Sequence, residues 1–590
     1  MAMALAILLL ALPSAPQEPG PDRLLLPSRS QQVPEWLADN ARRVDPAADG
    51  WRTEVLHDSA KHHLHEILDS LFAGAAWDDA PLAPDFRFTT LRPELEVVRD
   101  SAALQLWRAR TIPELRRPRE AFGEALAEFH RHLSDRDAVL PAASFAKLVT
   151  VEALDERSFR THAIVHAHAD RRGGGIAQWN LEADLTWTIG ADEEDVRLQD
   201  FALTAYEEGV SPLPLLQDYG YEVFGDTPTY AEHVLLGTED YTHRVDHAFG
   251  RSYIGAQGIA VGDVNGDGLD DVFLAQQAGL PHRLYLARAD GTAEEVSARA
   301  RVDFLDKARG VLLCDFDGDG DQDLALSTGP NLTIAWNDGD GTFGSRTYLR
   351  GPGSEEIYSL AAADPDGDGD LDVYACRYVK NGLLGGVPTP YHDARNGAPN
   401  VYWRNDGDHG FTIATEEVGL DDDNTRFSLA AAWEDLDGDG DLDLYVVNDF
   451  GRNSFYVNEG GQFREAAVEH GVDDMAAGMG ITIGDVDRDL DLDLYVTNMF
   501  SSAGRRIASQ DDLFMGGRNR DLHGAYVRHA RGNTLLVQEA GGRFRDATDE
   551  AGVAIGMWGW GAVFFDLEND GWLDAYCPNG FLTNERPKDL

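Results

Sequence analysis

Two hydrophobic periods follow one another along the first third of the chain. LHEILDSLFAG (Leu64 to Gly74) and REAFGEALAEFHRHL (Arg119 to Leu133) place apolar residues at helical spacing. From Phe145 the period falls toward two. FAKLVTVEAL, SFRTHAIVHAHA, AQWNLEADLTWTI and DVRLQDFALTAYEE read as four strands separated by Gly, Asp and Arg breaks. Helices followed by an antiparallel meander predict an α+β domain over residues 21–208. The Pro- and Gly-rich stretch GVSPLPLLQDYGYEVFGDTP then reads as a linker over residues 209–228.

From residue 229 to residue 590 a different grammar repeats. A strand of small residues leads in, as in GIAVGD, GVLLCD, LAAAD, AAAWED, GITIGD and GAVFFD. An apolar strand leads out, as in DVFLA, DLALS, DVYAC, DLYVVN, DLYVTN and DAYCP. A third and a fourth strand follow, as in NSFYVNEGG and FREAAVEHGV. First aspartates fall at 263, 315, 364, 435, 485 and 566, so the unit is near 50 residues and two steps carry insertions. Four short antiparallel strands per unit, repeated, predict an all-β propeller of six blades, or seven if one lacks the motif, preceded by the smaller α+β domain. The last unit breaks off after its second strand. AEHVLLGTEDYTHRVDHAFG matches a third and fourth strand and precedes the first loop. Strands from residues 231–250 are therefore expected to complete the last blade.

The turn between the first two strands of each unit carries the candidate chemistry. The donors are Asp263, Asn265, Asp267 and Asp271 in the first copy, and Asp315, Asp317, Asp319 and Asp323 in the second. The third offers Asp364, Asp366, Asp368 and Asp372, and the fourth Asp435, Asp437, Asp439 and Asp443. The fifth offers Asp485, Asp487, Asp489 and Asp493, and the sixth Asp566, Glu568, Asp570 and Asp574. Carboxylates this dense repel one another unless a cation lies among them. Positions 1, 3, 5 and 9 form an oxygen-only set, and glycine at position 6 permits a sharp turn. Calcium accepts six to eight oxygens in loose geometry, whereas magnesium demands a near-octahedral cage. The expectation is Ca²⁺ in about five to six structural sites. The Asp485 loop is expected to be weakest, because Arg488 and Leu490 replace its glycines. An EF-hand is excluded: position 12 is never glutamate, and the flanks read as strands.

Charge narrows the partners. The chain has 103 acidic and 50 basic residues and a formal charge of −53. Nucleic acid and anionic membrane surfaces, which need a basic footprint, are excluded as partners. A hydrophobic content of 43% speaks against a disordered acidic tail. The run from Ala4 to Leu12 is too short to span a bilayer and reads as the core of a signal peptide over residues 1–20. No other stretch predicts a membrane span. Cys314, Cys376 and Cys577 each lie in or beside a predicted strand and read as buried thiols rather than a disulfide framework.

Loops of the form D-x-D-G-D-G-x-x-D inside strands resemble the FG-GAP/VCBS repeats of integrin-like propellers. NGAPNVYWRNDGDHGFTIATEEVGL and GGRFRDATDEAGV are similar to the cartilage acidic protein branch, whose usual C-terminal ASPIC/UnbV region has no counterpart before residue 590. The resemblance covers residues 230–582 and implies an extracellular, calcium-stabilised propeller used for binding or cell adhesion. Its location would be secreted, periplasmic or at the cell surface, and its partner an extracellular protein or glycan. The order of the first domain is similar to NTF2-like folds.

The alternative is a secreted hydrolase or lyase. Its chemistry would lie in the propeller channel or in the first domain, where THAIVHAHAD sets His162, His166, His168 and Asp170 on one strand face. The competing reading of that face is a polar, solvent-facing strand, and no catalytic residue is assigned. KHHLHE reads as a solvated helix face. Two insertions, Arg377 to Asn400 and Ser501 to Gly532, interrupt the repeat and are the expected places for recognition. The second carries six arginines against three aspartates.

Overall fold

A computed structural model describes residues 52–73, 81–193, 195–235, 258–380, 387–508, 510 and 520–578. The chain divides into two compact units, residues 9–217 with 502–518, and the remainder. The expected signal segment lies outside the described residues.

The first unit holds helices α1 (Arg52–Ala73) and α2 (Phe122–Asp135) and strands β1 (Leu82–Phe88), β2 (Glu96–Asp100), β3 (Gln105–Arg108), β4 (Arg117–Pro118), β5 (Ala143–Ala153), β6 (Ser158–Asp170), β7 (Ile176–Ile189) and β8 (Val196–Ser211). Six strands run in the order β2-β3-β8-β7-β6-β5, while β1 pairs with β4 and, in parallel, with β8. On α1, Leu64, Leu68, Leu71 and Phe72 share one stripe and are buried. Phe72 meets Phe129 of α2 edge-on, with ring centroids 5.6 Å apart. On β6, Ala163, Val165, Ala167 and Ala169 are buried, and the histidines alternate with them. The helical turn Ser502–Ala508 belongs to this unit. Its Arg506 donates to Glu54 (2.9 Å) and to the Leu148 carbonyl (2.9 Å).

The second unit is a succession of sheets with one topology. Sheet 1 pairs Ile259–Gly262, Asp271–Leu274, Arg283–Ala287 and Ala293–Glu295. Sheet 2 pairs Val311–Cys314, Asp323–Thr328, Asn331–Asn337 and Phe343–Leu349. Sheet 3 pairs Ile357–Ala363, Asp372–Arg377, Val401–Asn405 and Phe411–Ile413. Sheet 4 pairs Phe427–Glu434, Asp443–Asp449, Ser454–Asn458 and Phe463–Glu465, and sheet 5 pairs Gly478–Gly484, Asp493–Asn498, Thr534–Glu539 and Arg543–Asp546. Val563–Phe565 and Asp574–Tyr576 form a two-stranded sheet 6. Each is an antiparallel meander whose first two strands are joined by an acidic loop.

The packing explains why the second strands read as continuous apolar runs. All residues of Asp372–Arg377, Asp443–Asp449 and Asp493–Asn498 are buried. Alternate side chains face opposite neighbours. Tyr374 and Cys376 pack toward Trp433 and Val446 of sheet 4, whereas Val373 and Ala375 pack toward Ile334 and Trp336 of sheet 2. Cys314 is half-buried and Cys376 and Cys577 are buried, none in a disulfide. Burial pushes the Cys314 and Cys577 thiols up to about 11 and that of Cys376 to about 12.

Two boundaries differ from the sequence reading. Gly209–Ser211 finish β8, and a helical turn, Gly220–Phe224, interrupts the linker stretch. Tyr230–Val234 is a helical turn rather than the start of a strand; the rest of the segment expected to complete the last sheet lies outside the described residues.

Candidate metal centre

Six loops share one hydrogen-bond scheme. The amide at position 6 donates to the first aspartate at 2.7–3.1 Å in every copy. The amide at position 7 donates to the carboxylate at position 5 at 2.9–3.2 Å in every copy. Such side-chain-to-backbone bonds wind the chain tightly around its own carboxylates. Positions 4 and 6 adopt left-handed φ values, as at Gly438 (77°) and Gly440 (100°), which glycine tolerates without a Cβ clash.

The aspartate at position 9 is built differently. Asp271, Asp323, Asp372, Asp443 and Asp493 are at most 1% exposed. One carboxylate oxygen of each accepts an amide from the third strand at 2.7–2.8 Å, from Ala287, Asn337, Asn405, Asn458 and Gln538. The other accepts the amide at position 2 in Asp271, Asp323, Asp443 and Asp493 (2.9–3.1 Å), and the Tyr402 hydroxyl in Asp372. This residue therefore ties loop, second strand and third strand together. Burial pushes Asp323, Asp372 and Asp443 up to about 7 and Asp493 to about 6, against the pull of those amides.

Among the described residues, four acidic groups converge so that one oxygen from each member lies within 4.8 Å of the others. They are Asp315, Asp317 and Asp323; Asp364, Asp366 and Asp368; Asp435, Asp437 and Asp443; and Asp485, Asp487 and Asp493. Positions 1 and 3 always take part, joined by position 9 in three loops and by position 5 in the third. Asp319, Asp439 and Asp489 hold the position-7 amides and fall outside the groups, as does Asp372. Asn265 replaces a carboxylate in the first loop, where it accepts the Asp267 amide at 3.0 Å. An oxygen-only set suits a hard cation. A buried oxygen without a hydrogen bond, Oδ1 of Asp487, is an acceptor such a cation would satisfy.

The fifth loop keeps its shape without its glycines. Arg488 and Leu490 take φ of 67° and 78°, and Asp485, Asp487 and Asp493 still converge. The substitutions strain the loop but do not open it. Arg488 also stacks on Trp572 of the sixth loop, 4.8 Å from the ring centroid.

Sequence reasoning missed the residues that join neighbouring sheets. Asn337 donates to the Val264 carbonyl (2.7 Å), Asn405 to that of Phe316 (2.8 Å) and Asn458 to that of Pro365 (2.8 Å). Each acceptor is position 2 of an earlier loop. His409 of sheet 3 stacks on Trp336 (4.0 Å) and lies 3.1 Å from Asp317. The recurring words WND, RND and VNE were the available signal.

The histidines of β6 do not form one centre. His162 lies 2.9 Å from Asp184 and 3.2 Å from Glu182, and its hydrogen bond with Glu182 helps hold its pKa up. His166 pairs with Asn180 at 2.9 Å, and burial lowers both His166 and His168. On α1, His62 and Glu66 stand 3.6 Å apart on an exposed face.

A family model for the FG-GAP-like repeat matches residues 263–326, 315–375 and 435–496. Cartilage acidic protein 1 of Xenopus tropicalis is 28% identical over 199 residues, which is 33% of this chain and 29% of that protein. Cartilage acidic protein 1 of Homo sapiens is 29% identical over 203 residues, 33% of this chain and 28% of that protein. The chain spans under a third of the length of these curated relatives. Among solved structures, an Agrocybe aegerita lectin recognising non-reducing terminal N-acetylglucosamine aligns with a TM-score of 0.32 and 15% identity, over 54% of this chain and 74% of that one. That likeness is too faint to argue from. The phased acidic loops, the repeat match and the relatives agree: the chain carries FG-GAP-like repeats and is similar to cartilage acidic protein 1 over a third of its length.

Proposed function

We propose that this chain is an exported calcium-binding β-propeller that serves as a binding or adhesion module for an extracellular protein or glycan. The observation that carries the reading is the convergence, in four repeated loops, of the aspartates at positions 1 and 3 with a third at position 9 or 5. The ligand set comprises the loop residues of all six copies, with Ca²⁺ the cation their oxygens suit. The six sheets act as blades. A cation in each loop relieves repulsion among carboxylates that the fold holds together in any case, so the metals are structural. Among the described residues no helix is long and apolar enough to cross a membrane. The test is calcium binding by the EDTA-stripped full chain, read together with its melting temperature. Absence of both binding and stabilisation removes the proposal.

A further inference from the structure

The two insertions, more than a hundred residues apart in sequence, meet in the second unit. Tyr391, from the first, stacks parallel to Tyr526 of helix Arg520–His529, with centroids 6.2 Å apart and planes 5° apart. His529 at the end of that helix lies 5.2 Å from Tyr391 and 5.9 Å from Phe450, which follows the second strand of sheet 4. The Ala394 amide donates to the Phe450 carbonyl at 2.7 Å, fixing the first insertion to that strand end.

Three features there are hard to explain as packing. His529 is only 8% exposed, yet neither ring nitrogen has a hydrogen-bond partner. An unsatisfied buried polar atom costs about 1–3 kcal/mol, and a phenylalanine would fill the space without it. Burial lowers its pKa to about 4, so the ring is neutral and offers one donor and one acceptor. Phe450 sits at φ 58°, a left-handed conformation costly for an aromatic residue and a recurrent mark of ligand sites. Tyr391 stays 46% exposed, whereas Tyr526 and Phe450 beside it are half-buried and His529 is buried.

Charge selects the ligand. The acids nearby are already paired: Asp393 with Arg426 (2.7 Å), Asp474 with Arg528 (3.2 Å) and Asp473 with Arg452 (3.1 Å). Asp449 accepts the Tyr378 hydroxyl at 2.6 Å and the Phe450 amide at 2.9 Å. What remains is a flat aromatic surface beside one neutral donor–acceptor group. A sugar ring has the matching chemistry, an apolar C–H face with hydroxyls that both donate and accept.

We propose that the surface where residues 387–400 meet helix Arg520–His529 is a carbohydrate-binding site for a neutral sugar, which stacks on Tyr391 and hydrogen-bonds the His529 ring. It rests on reading the chain as an extracellular binding module, and it names the ligand class.

The calcium-loaded full chain should be applied to an array of neutral oligosaccharides (glucans, mannans, galactans and xylans), with any hit titrated by calorimetry. The expected result is binding to at least one of them, weakened at least tenfold in Tyr391→Ala and in His529→Ala and unchanged in Tyr348→Ala, an exposed tyrosine on sheet 2. Because His529 is buried, the Tyr391 variant is the primary test, and unchanged calcium binding shows that it is folded. No neutral glycan bound, acidic glycans alone bound, or binding undiminished in Tyr391→Ala overturns the proposal. Silence on the array with calcium binding intact removes only this site; loss of calcium binding in the wild-type chain removes the metal reading instead.

Discussion

The fourth and fifth acidic loops differ in sequence where they agree in shape. DLDGDGDLD and DVDRDLDLD share the position-6-to-position-1 amide bond (3.0 and 3.1 Å), the buried last aspartate and the converging triad. Apart from Leu436 against Val486 at position 2, they differ at positions 4 and 6, where glycines at φ 77° and 100° become Arg488 at 67° and Leu490 at 78°. Glycine therefore makes this loop cheap, but it does not define it. The carboxylates and the amides they collect do.

The largest way to break that comparison is to remove the shared part. Asp443→Ala leaves the Leu436 and Asn458 amides buried without acceptors, and Asp493→Ala does the same to Val486 and Gln538. Each should cost about 3 kcal/mol, read by chemical denaturation, with similar losses in the two loops. A small loss in either would show that the last aspartate is not the common tie.

Next is the latch between sheets. Asn458 is fully buried and donates to the Pro365 and Leu442 carbonyls, while the equivalent Gln538 keeps a buried oxygen without a partner. Asn458→Ala should cost about 2 kcal/mol and Gln538→Ala under about 1 kcal/mol. Equal losses would mean that the latch carries no special weight.

The loops should also part on titration. Burial holds Asp443 up at about 7 and Asp493 at about 6. Both folded values lie above the unfolded one, so these groups add stability to the metal-free protein at low pH, and that stability is lost as pH rises through about 6 to 7. Calcium must displace those protons. Its affinity should fall as pH drops below about 7, the fourth loop losing it before the fifth. Calcium titrations of single-loop variants between pH 5 and 8 test this.

The smallest effect is the strain itself. Leu490 is 89% exposed, so Leu490→Gly loses no packing and should stabilise by up to about 1 kcal/mol. A Cβ at Gly440 meets open space, so Gly440→Ala should lose about 1 kcal/mol through backbone strain alone. Thermal melts of both variants check the pair; changes of the same sign would contradict it.

What the sequence revealed follows from the range of each interaction. The loops were legible because every bond that shapes them spans five residues or fewer apart from the buried last aspartate. The strands from Phe145 were legible because one face is buried and the alternation records it. β1 was not: it carries Pro84 and Asp85, and it pairs in parallel with β8, more than a hundred residues on. The Asn405 latch was hidden for the same reason, since its acceptor is 89 residues away. The meeting of Tyr391 with Tyr526 and His529 could not be read from either insertion alone.

The central claim, that the repeated loops are structural calcium sites, is tested most directly by calorimetric titration of calcium into the EDTA-stripped full chain, with thermal melts at each step. The expected result is several ions bound per chain, up to the six loops present, with the melting temperature rising as they fill. No heat of binding and an unchanged melting temperature would contradict it, and the acidic repeats would then be turns that the fold closes without metal.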